Sequence, residues 1–340
     1  MVIKYFHPVK PTSAEGLVAD IYGQVKRDFG KVVEPFVMHS PLPEVLAGTW
    51  MACRESEVAG IVSRATKEAV AAAVSNLNSC SYCVDAHTIM LDAAGEKNAA
   101  DAISRSCYSD IANVNLRLMV DWAAATSTPK SPVLLSPPFN RQEAPEIIGT
   151  AVYYQYMNRL VTVLLDKTPL PSTQSWLKPT LKSMASHMFQ NAVKTKKDPG
   201  DSLRFLPKAN LPSDLQWAKH SPNVACAFAR FAEAVEKAGE RTLPLAVRAF
   251  VQEELNEWNG KASELSLAWS EEEIGRFNEA EQAAARLALF AALAPHKVEE
   301  ALVLEFRKHF PEETKMLGAL SWASFAAARK TGTWLRVPPT

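Results

Sequence analysis

An all-α fold, built as two tandem helical repeats, is what the sequence predicts, on three observations. Apolar residues recur at helical spacing along most of the chain, no convincing pair of strand-like runs occurs, and the second half echoes the first in the same order. The elements follow in turn. Leu17, Ile21, Val25 and Phe29 form one stripe with Gly30 as its stop, and Val45, Leu46, Thr49, Trp50 and Cys53 form another behind Pro41 and Pro43. Ala65 to Leu77 is alanine-rich with few turn formers, and Ser79 is expected to cap a helix from Cys80 to Ala94 that Gly95 closes. Further helices are expected at Asn113 to Ala125, Ala144 to Asp166, Thr180 to Val193, Val224 to Gly239, Pro244 to Trp258, Glu271 to Leu293, Lys297 to His309 and Glu312 to Lys330.

The repeat rests on four echoes. His39-Ser40-Pro41 returns as His220-Ser221-Pro222, and Ala69-Val70 with its alanine-rich helix returns at Ala246-Val247. Leu116 to Pro129 returns as Ala285 to Pro295, and a closing helix with Tyr153, Tyr154 and Arg159 is answered by Trp322, Phe325 and Arg329. The expected division is a catalytic helical domain at 1–170, a linker with one helix at 171–211, and a degenerate second domain at 212–340. Within the linker, Lys194 to Asp201 (KTKKDPGD) reads as an exposed loop. The second repeat has neither cysteine nor histidine between Cys226 and His296, and Glu257, Trp258, Asn259 and Gly260 stand where a reactive pair would be. A structural role is expected for it, covering a face that a single domain would bury in a symmetric contact.

Composition excludes several classes. The 340 residues exceed one usual domain, and Lys plus Arg equals Asp plus Glu at 37 each, so no electrostatic case exists for nucleic acid. The first residues lack the apolar core of a signal peptide, and the longest apolar-rich run, Ala283 to Pro295, is too short to cross a bilayer. A cytoplasmic, non-membrane protein is expected. Cys53, Cys107 and Cys226 are scattered and read as packed thiols, not a secreted disulfide framework.

The chemistry is concentrated in Glu68, Cys80, Cys83 and His87, spaced E-x11-C-x2-C-x3-H. A thiol attacks as the thiolate, and the first turn of a helix favours that charge at Cys80 and Cys83. His87, four residues beyond Cys83, stands on the same helix face and can take the thiol proton, while Glu68 on the preceding helix can orient the imidazole. Two cysteines three apart can close into a disulfide, so a peroxide can oxidise one sulfur and the other can resolve it; an external dithiol must then reopen the bond. Zinc on Cys80, Cys83 and His87 would need a fourth ligand, and no nearby cysteine or histidine offers one. His39 and His220 read as turn or capping residues. Trp50, Trp122, Tyr153, Tyr154 and Tyr156 read as core, with a pocket-lining role as the alternative.

This constellation resembles the alkylhydroperoxidase D and carboxymuconolactone decarboxylase superfamily, whose thiol-active members carry glutamate, CxxC and histidine at this spacing. Tyr82 fills the place between the cysteines where some members have histidine, and CxYC looks like the peroxidase-related branch. The segment Tyr154 to Arg159 (YQYMNR) is similar to the family's closing helix, and the tandem arrangement looks like that of two-domain bacterial members. The resemblance implies an all-helical, homo-oligomeric protein with weak hydroperoxidase or disulfide-reductase activity and no organic cofactor or metal. It implies a small hydroperoxide as substrate and a dithiol protein, thioredoxin-like or lipoyl-type, as reductant. It also makes Cys83 the attacking thiol and Cys80 the resolving one, whereas thioredoxin-type helices would put the reactive thiol first, at Cys80. Glu68 and His87 move the proton, with Tyr82 at the remaining position. The alternative is a redox sensor or scaffold whose disulfide controls assembly without turnover.

Overall fold

The computed structural model describes residues 3–165, 168–170, 177–260 and 272–339, and among them there is no strand. The helices that frame the site are α1 (Gly16–Phe29), α2 (Pro43–Cys53), α3 (Arg64–Leu77), α4 (Ser81–Ala93), α5 (Lys97–Ser104), α6 (Val114–Ala124) and α7 (Ala144–Leu164). After them come α8 (Lys178–Lys194), α9 (Pro222–Glu240), α10 (Leu245–Glu257), α11 (Glu279–Leu293), α12 (Glu300–His309) and α13 (Glu313–Gly332). No described helix is long and apolar enough to cross a membrane.

α7 is mostly apolar and nearly all its residues are buried, as expected of a helix at the centre of a core, with Glu146, Gln155, Asn158 and Arg159 buried among the apolar ones. It packs against α3 on one side and α13 on the other, and α2 packs against α9. The helices that follow the two His-Ser-Pro segments therefore meet each other, as do the helices that carry Tyr153 and Phe325. Tyr156 of α7 reaches across to Phe231 of α9 and Phe325 of α13, at ring-centre distances of 5.0 Å and 5.9 Å. The buried apolar side chains form one contiguous cluster from Phe6 to Leu335.

Local signals worked where the backbone alone sets the element. α1 ends at Gly30 in a left-handed conformation (φ 95°), and Gly95 stops α4 the same way (φ 102°). Three expectations need correction, and a fourth gains detail. Ser79 is not a cap: it takes φ 54° itself, and the N-cap is Cys80. The helix expected from Glu271, which lies outside the described residues, is interrupted by a turn, and α11 starts afresh at Glu279 behind an Asn278–Glu281 capping box. The KTKKDPGD loop is largely exposed as expected, and it is anchored where Gly200 N and the following Ser202 Oγ both donate to buried Glu55, each at 2.6 Å. Cys53 is buried, but Cys107 is only half-buried and Cys226 is exposed on the outer face of α9. Part of the expected linker, 171–176, lies outside the described residues.

Candidate active site

The site begins at the turn between α3 and α4. The left-handed Ser79 turns the chain sharply enough for Cys80 N to donate to Ser75 O at 2.9 Å, and Cys80 O then accepts from Val84 N at 2.9 Å to start α4. Asn158 of α7 fastens this turn, donating to Ser75 Oγ (3.1 Å) and accepting from Asn78 Nδ2 (3.0 Å). Cys80 is thus the N-cap and Cys83 the third helical residue. Their Cα atoms lie 5.4 Å apart and the sulfurs are joined as a disulfide.

One turn further along α4, His87 Nδ1 lies 2.7 Å from Glu68 Oε2 on α3. Arg64 Nε, one turn before Glu68, donates to its other oxygen at 2.6 Å. Burial pushes the Glu68 carboxyl up, but the Arg64 guanidinium and the bond to His87 outweigh it and hold the carboxyl below its ordinary value. With Glu68 ionised, the shared bond is donated by Nδ1–H, which leaves Nε2 as the ring nitrogen able to take up a proton.

Glu57 is a second buried carboxylate in this cluster that the sequence reading missed. Its Oε1 lies 3.7 Å from His87 Nδ1 and 4.0 Å from Arg64 Nη2, while its Oε2 accepts from the Tyr154 hydroxyl at 2.6 Å and from Cys53 Sγ at 3.3 Å. Burial and the neighbouring Glu68 charge raise its carboxyl above the ordinary value, against the pull of Arg64, His87 and Tyr154. What delivers Glu57 is a π-helical turn, Arg54–Val58, that continues α2 and buries all five of its residues. π turns are frequent at functional sites because the extra residue re-aims side chains that a regular helix would spread around its axis. The spacings Cys53–Glu57 and Arg64–Glu68, each four apart, were visible in the sequence; the change of helix type was not.

The approach to these groups is a cavity of about 350 Å³. Cys83, Ala86 and His87 lie on its wall and Cys80 does not. Tyr153 and Tyr154 also line it, whereas Trp50, Trp122 and Tyr156 are core residues away from its walls. α8 covers one side with Leu181, Met184, Met188 and Phe189, and it is fastened to α4 by an ion pair from Lys182 Nζ to Asp85 Oδ1 at 2.9 Å. Tyr82 is on the wall, but its hydroxyl donates to Glu34 Oε2 at 3.1 Å, not to the His87–Glu68 pair. Burial and Glu34 push that phenol far above its ordinary value. His39 is remote from this chemistry: its ring nitrogens meet Pro35 O at 2.7 Å and the Tyr156 hydroxyl at 2.8 Å, tying the turn before α2 to α7.

Glu57, Glu68 and His87 each offer a ligand atom within 4.8 Å of the others. Their environment suits a proton better than an ion. Arg64 already supplies one positive charge to the two carboxylates, so a divalent cation would leave net positive charge buried. The sulfurs, joined to each other, present no thiolate to a metal.

The chain is similar to known proteins across this region and beyond it. Residues 44–103 match the carboxymuconolactone decarboxylase family, a span that holds the π turn, the disulfide and the whole carboxylate cluster. Over 333 residues the chain is 38% identical to an alkyl hydroperoxide reductase of Mycobacterium tuberculosis, covering 98% of this chain and 95% of the other.

Proposed function

This chain belongs to the alkylhydroperoxidase D and carboxymuconolactone decarboxylase superfamily, and from that premise we propose that it is a thiol-dependent hydroperoxide reductase. The observation that carries the reading is a cysteine pair whose second sulfur shares a cavity wall with His87, an imidazole held by Glu68 at 2.7 Å. The relative's name, alkyl hydroperoxide reductase, points the same way.

In the reduced protein, Cys83 passes its thiol proton to His87 Nε2 and attacks the terminal oxygen of the hydroperoxide. The O–O bond breaks, the departing alkoxide takes the proton from the imidazolium and leaves as alcohol, and Cys83 becomes a sulfenic acid. The Cys80 thiol then attacks that sulfur and expels water, forming the disulfide. A dithiol donor reopens it by exchange, so two donor thiols are oxidised for each hydroperoxide reduced. Cys83 is the attacker in this scheme because it faces the cavity and Cys80 does not. The first turn of α4 favours its thiolate, and Glu68 fixes the tautomer of the base. Tyr82, bonded to Glu34, shapes the cavity wall.

We also assign residues 212–340 as a degenerate copy of the first domain, joined through 171–211. Where a reactive pair would stand, Trp258 instead receives the Arg159 guanidinium at 5.7 Å from its ring centre and Trp334 at 5.6 Å.

Titration of free thiols in the fully reduced protein, before and after one equivalent of an alkyl hydroperoxide, tests the reading. Two thiols per chain should disappear, and only one, as a trappable sulfenic acid, in Cys80→Ser. Unchanged thiol content would defeat it. Continued peroxide consumption with excess dithiol distinguishes an enzyme from a sensor that oxidises once and stops.

A further inference from the structure

Two buried carboxylates, Glu57 and Glu68, face one guanidinium, Arg64, and one imidazole, His87. If both acids were ionised and the imidazole neutral, one unit of negative charge would remain uncompensated in the core, which burial strongly disfavours. The cluster therefore retains one more proton, and Glu57 and His87 are the two groups placed to carry it. Glu68 is pinned in its charged form by Arg64 at 2.6 Å. Glu57 is held on one side only: Oε2 takes bonds from Tyr154 and Cys53, while the fully buried Oε1 has no hydrogen-bond partner and sits 3.7 Å from His87 Nδ1. An unsatisfied buried oxygen aimed at the base of a candidate active site is unusual enough to need a reason.

We propose that Glu57 is the proton store of this site, a positioning residue that exchanges one proton with His87 and so sets whether the imidazole accepts or donates. With the proton on Glu57, the imidazole is neutral and ready to take the Cys83 proton. With the proton on His87, Glu57 is anionic, is stabilised by the Tyr154 hydroxyl, and the imidazolium can protonate a departing alkoxide or the Cys83 sulfur released when a dithiol opens the disulfide. Because Nδ1–H is committed to Glu68, the imidazole gains or loses this proton at Nε2, and Glu57 ionises or reprotonates in response to the ring charge 3.7 Å away, so that the net charge of the cluster is unchanged. The surroundings of Glu57 pull it both ways. Glu68 and the phenols of Tyr153 and Tyr154 offer no cation, Arg64 and the more distant Lys67 favour the anion, and Cys53 donates a weak bond to it. Lys67 is itself engaged by Glu146 at 2.8 Å. The inference rests on the peroxide-reductase reading for its role in turnover, but the shared proton exists whether or not peroxide is the substrate.

Infrared difference spectroscopy across a pH titration of the intact disulfide form separates the two. A protonated-carboxyl C=O band should be present, should vanish in Glu57→Gln, and should persist to higher pH in Tyr154→Phe, which lacks the hydroxyl that stabilises the anion. No change of the band in Glu57→Gln overturns the proposal, and if that variant does not fold, an unshifted band in Tyr154→Phe does so. In pre-steady-state oxidation of the reduced protein by an alkyl hydroperoxide, Glu57→Gln should still form the disulfide. It should do so roughly 10- to 100-fold more slowly, with one ionisation missing from the pH–rate profile. A profile superimposable on the parent's also overturns it. If the parent itself loses no thiols to peroxide, the functional reading fails, and the infrared result still decides the proton store.

Discussion

At the scale of single residues, the same side-chain type takes opposite states according to its neighbours. Glu68 and Glu57 are both fully buried, yet Glu68 is held anionic by a guanidinium in direct contact while Glu57 is pushed toward its neutral form by burial and by Glu68. Arg64 makes the difference, and lysine could not replace it, because a fork of donors is needed to reach Glu68 and Glu57 together. His39 illustrates a buried histidine outside the chemistry. Burial lowers its pKa from 6.5 to about 4, against the bond that its ring donates to Pro35 O. The unfolded chain therefore binds a proton at His39 below about pH 6.5 while the folded chain does not until about pH 4, so stability is lost as the pH falls through that window. At about 1.4 kcal/mol per pKa unit, the loss attributable to His39 is about 3 kcal/mol. Denaturant midpoints for the parent and His39→Gln should converge as the pH drops from 6.5 to 4; parallel curves would remove His39 as the cause.

At the scale of elements, the π turn and the loop behind it aim the cluster. The loop from Ala59 to Ser63 is gathered by Glu146 of α7, which accepts from Ile61 N (2.8 Å), Val62 N (3.0 Å) and Lys67 Nζ (2.8 Å). Gly60 is what lets this carboxylate come so close. Its φ is 113°, and a Cβ there would lie 2.2 Å from Glu146 Oε1. Gly60→Ala should destabilise the protein by about 1–3 kcal/mol from backbone strain, with the steric displacement added. Because Arg64 follows this loop directly, the variant should also slow oxidation by peroxide. Gly95→Ala is the control: φ is 102° but nothing lies within 4 Å of the added carbon, so it should lower the melting temperature without touching the oxidation rate. Equal effects of both substitutions on the rate would show that the loop does not position the site. α8 acts as an element too, since Lys182 clasps Asp85 on the same helix as Cys83 and His87 and so holds the cavity's apolar cover in place.

At the scale of the molecule, α2 packs on α9 and α7 on α13, which under the proposed duplication is the manner of a two-fold contact between identical chains. The approach is close: an added Cβ at Gly48 of α2 would lie 2.9 Å from Phe231 of α9. A fragment of residues 1–165 expressed alone should therefore self-associate in light scattering, because the faces that meet α9 and α13 would be bare; a monodisperse, folded monomer would show that the second half is not needed as cover. The helices, the disulfide pair and the Glu68–His87 partnership were legible in the chain because helical periodicity and local spacing are short-range properties. Glu57 was not, since Arg54-Glu55-Ser56-Glu57 looks like a solvated run, and only the packing of α3 and α7 around a π turn buries it. Ser79 was misread for a related reason: its residue type suits a cap, but the turn that brings Cys80 onto Ser75 demands a left-handed backbone there. Sequence alone determined which groups could react and how far apart they stand along a helix. Which of them share a proton was decided by tertiary burial, because charge compensation in a low-dielectric core depends on every neighbour at once, and those neighbours come from α2 with its π turn, α3, α4 and the more distant α7.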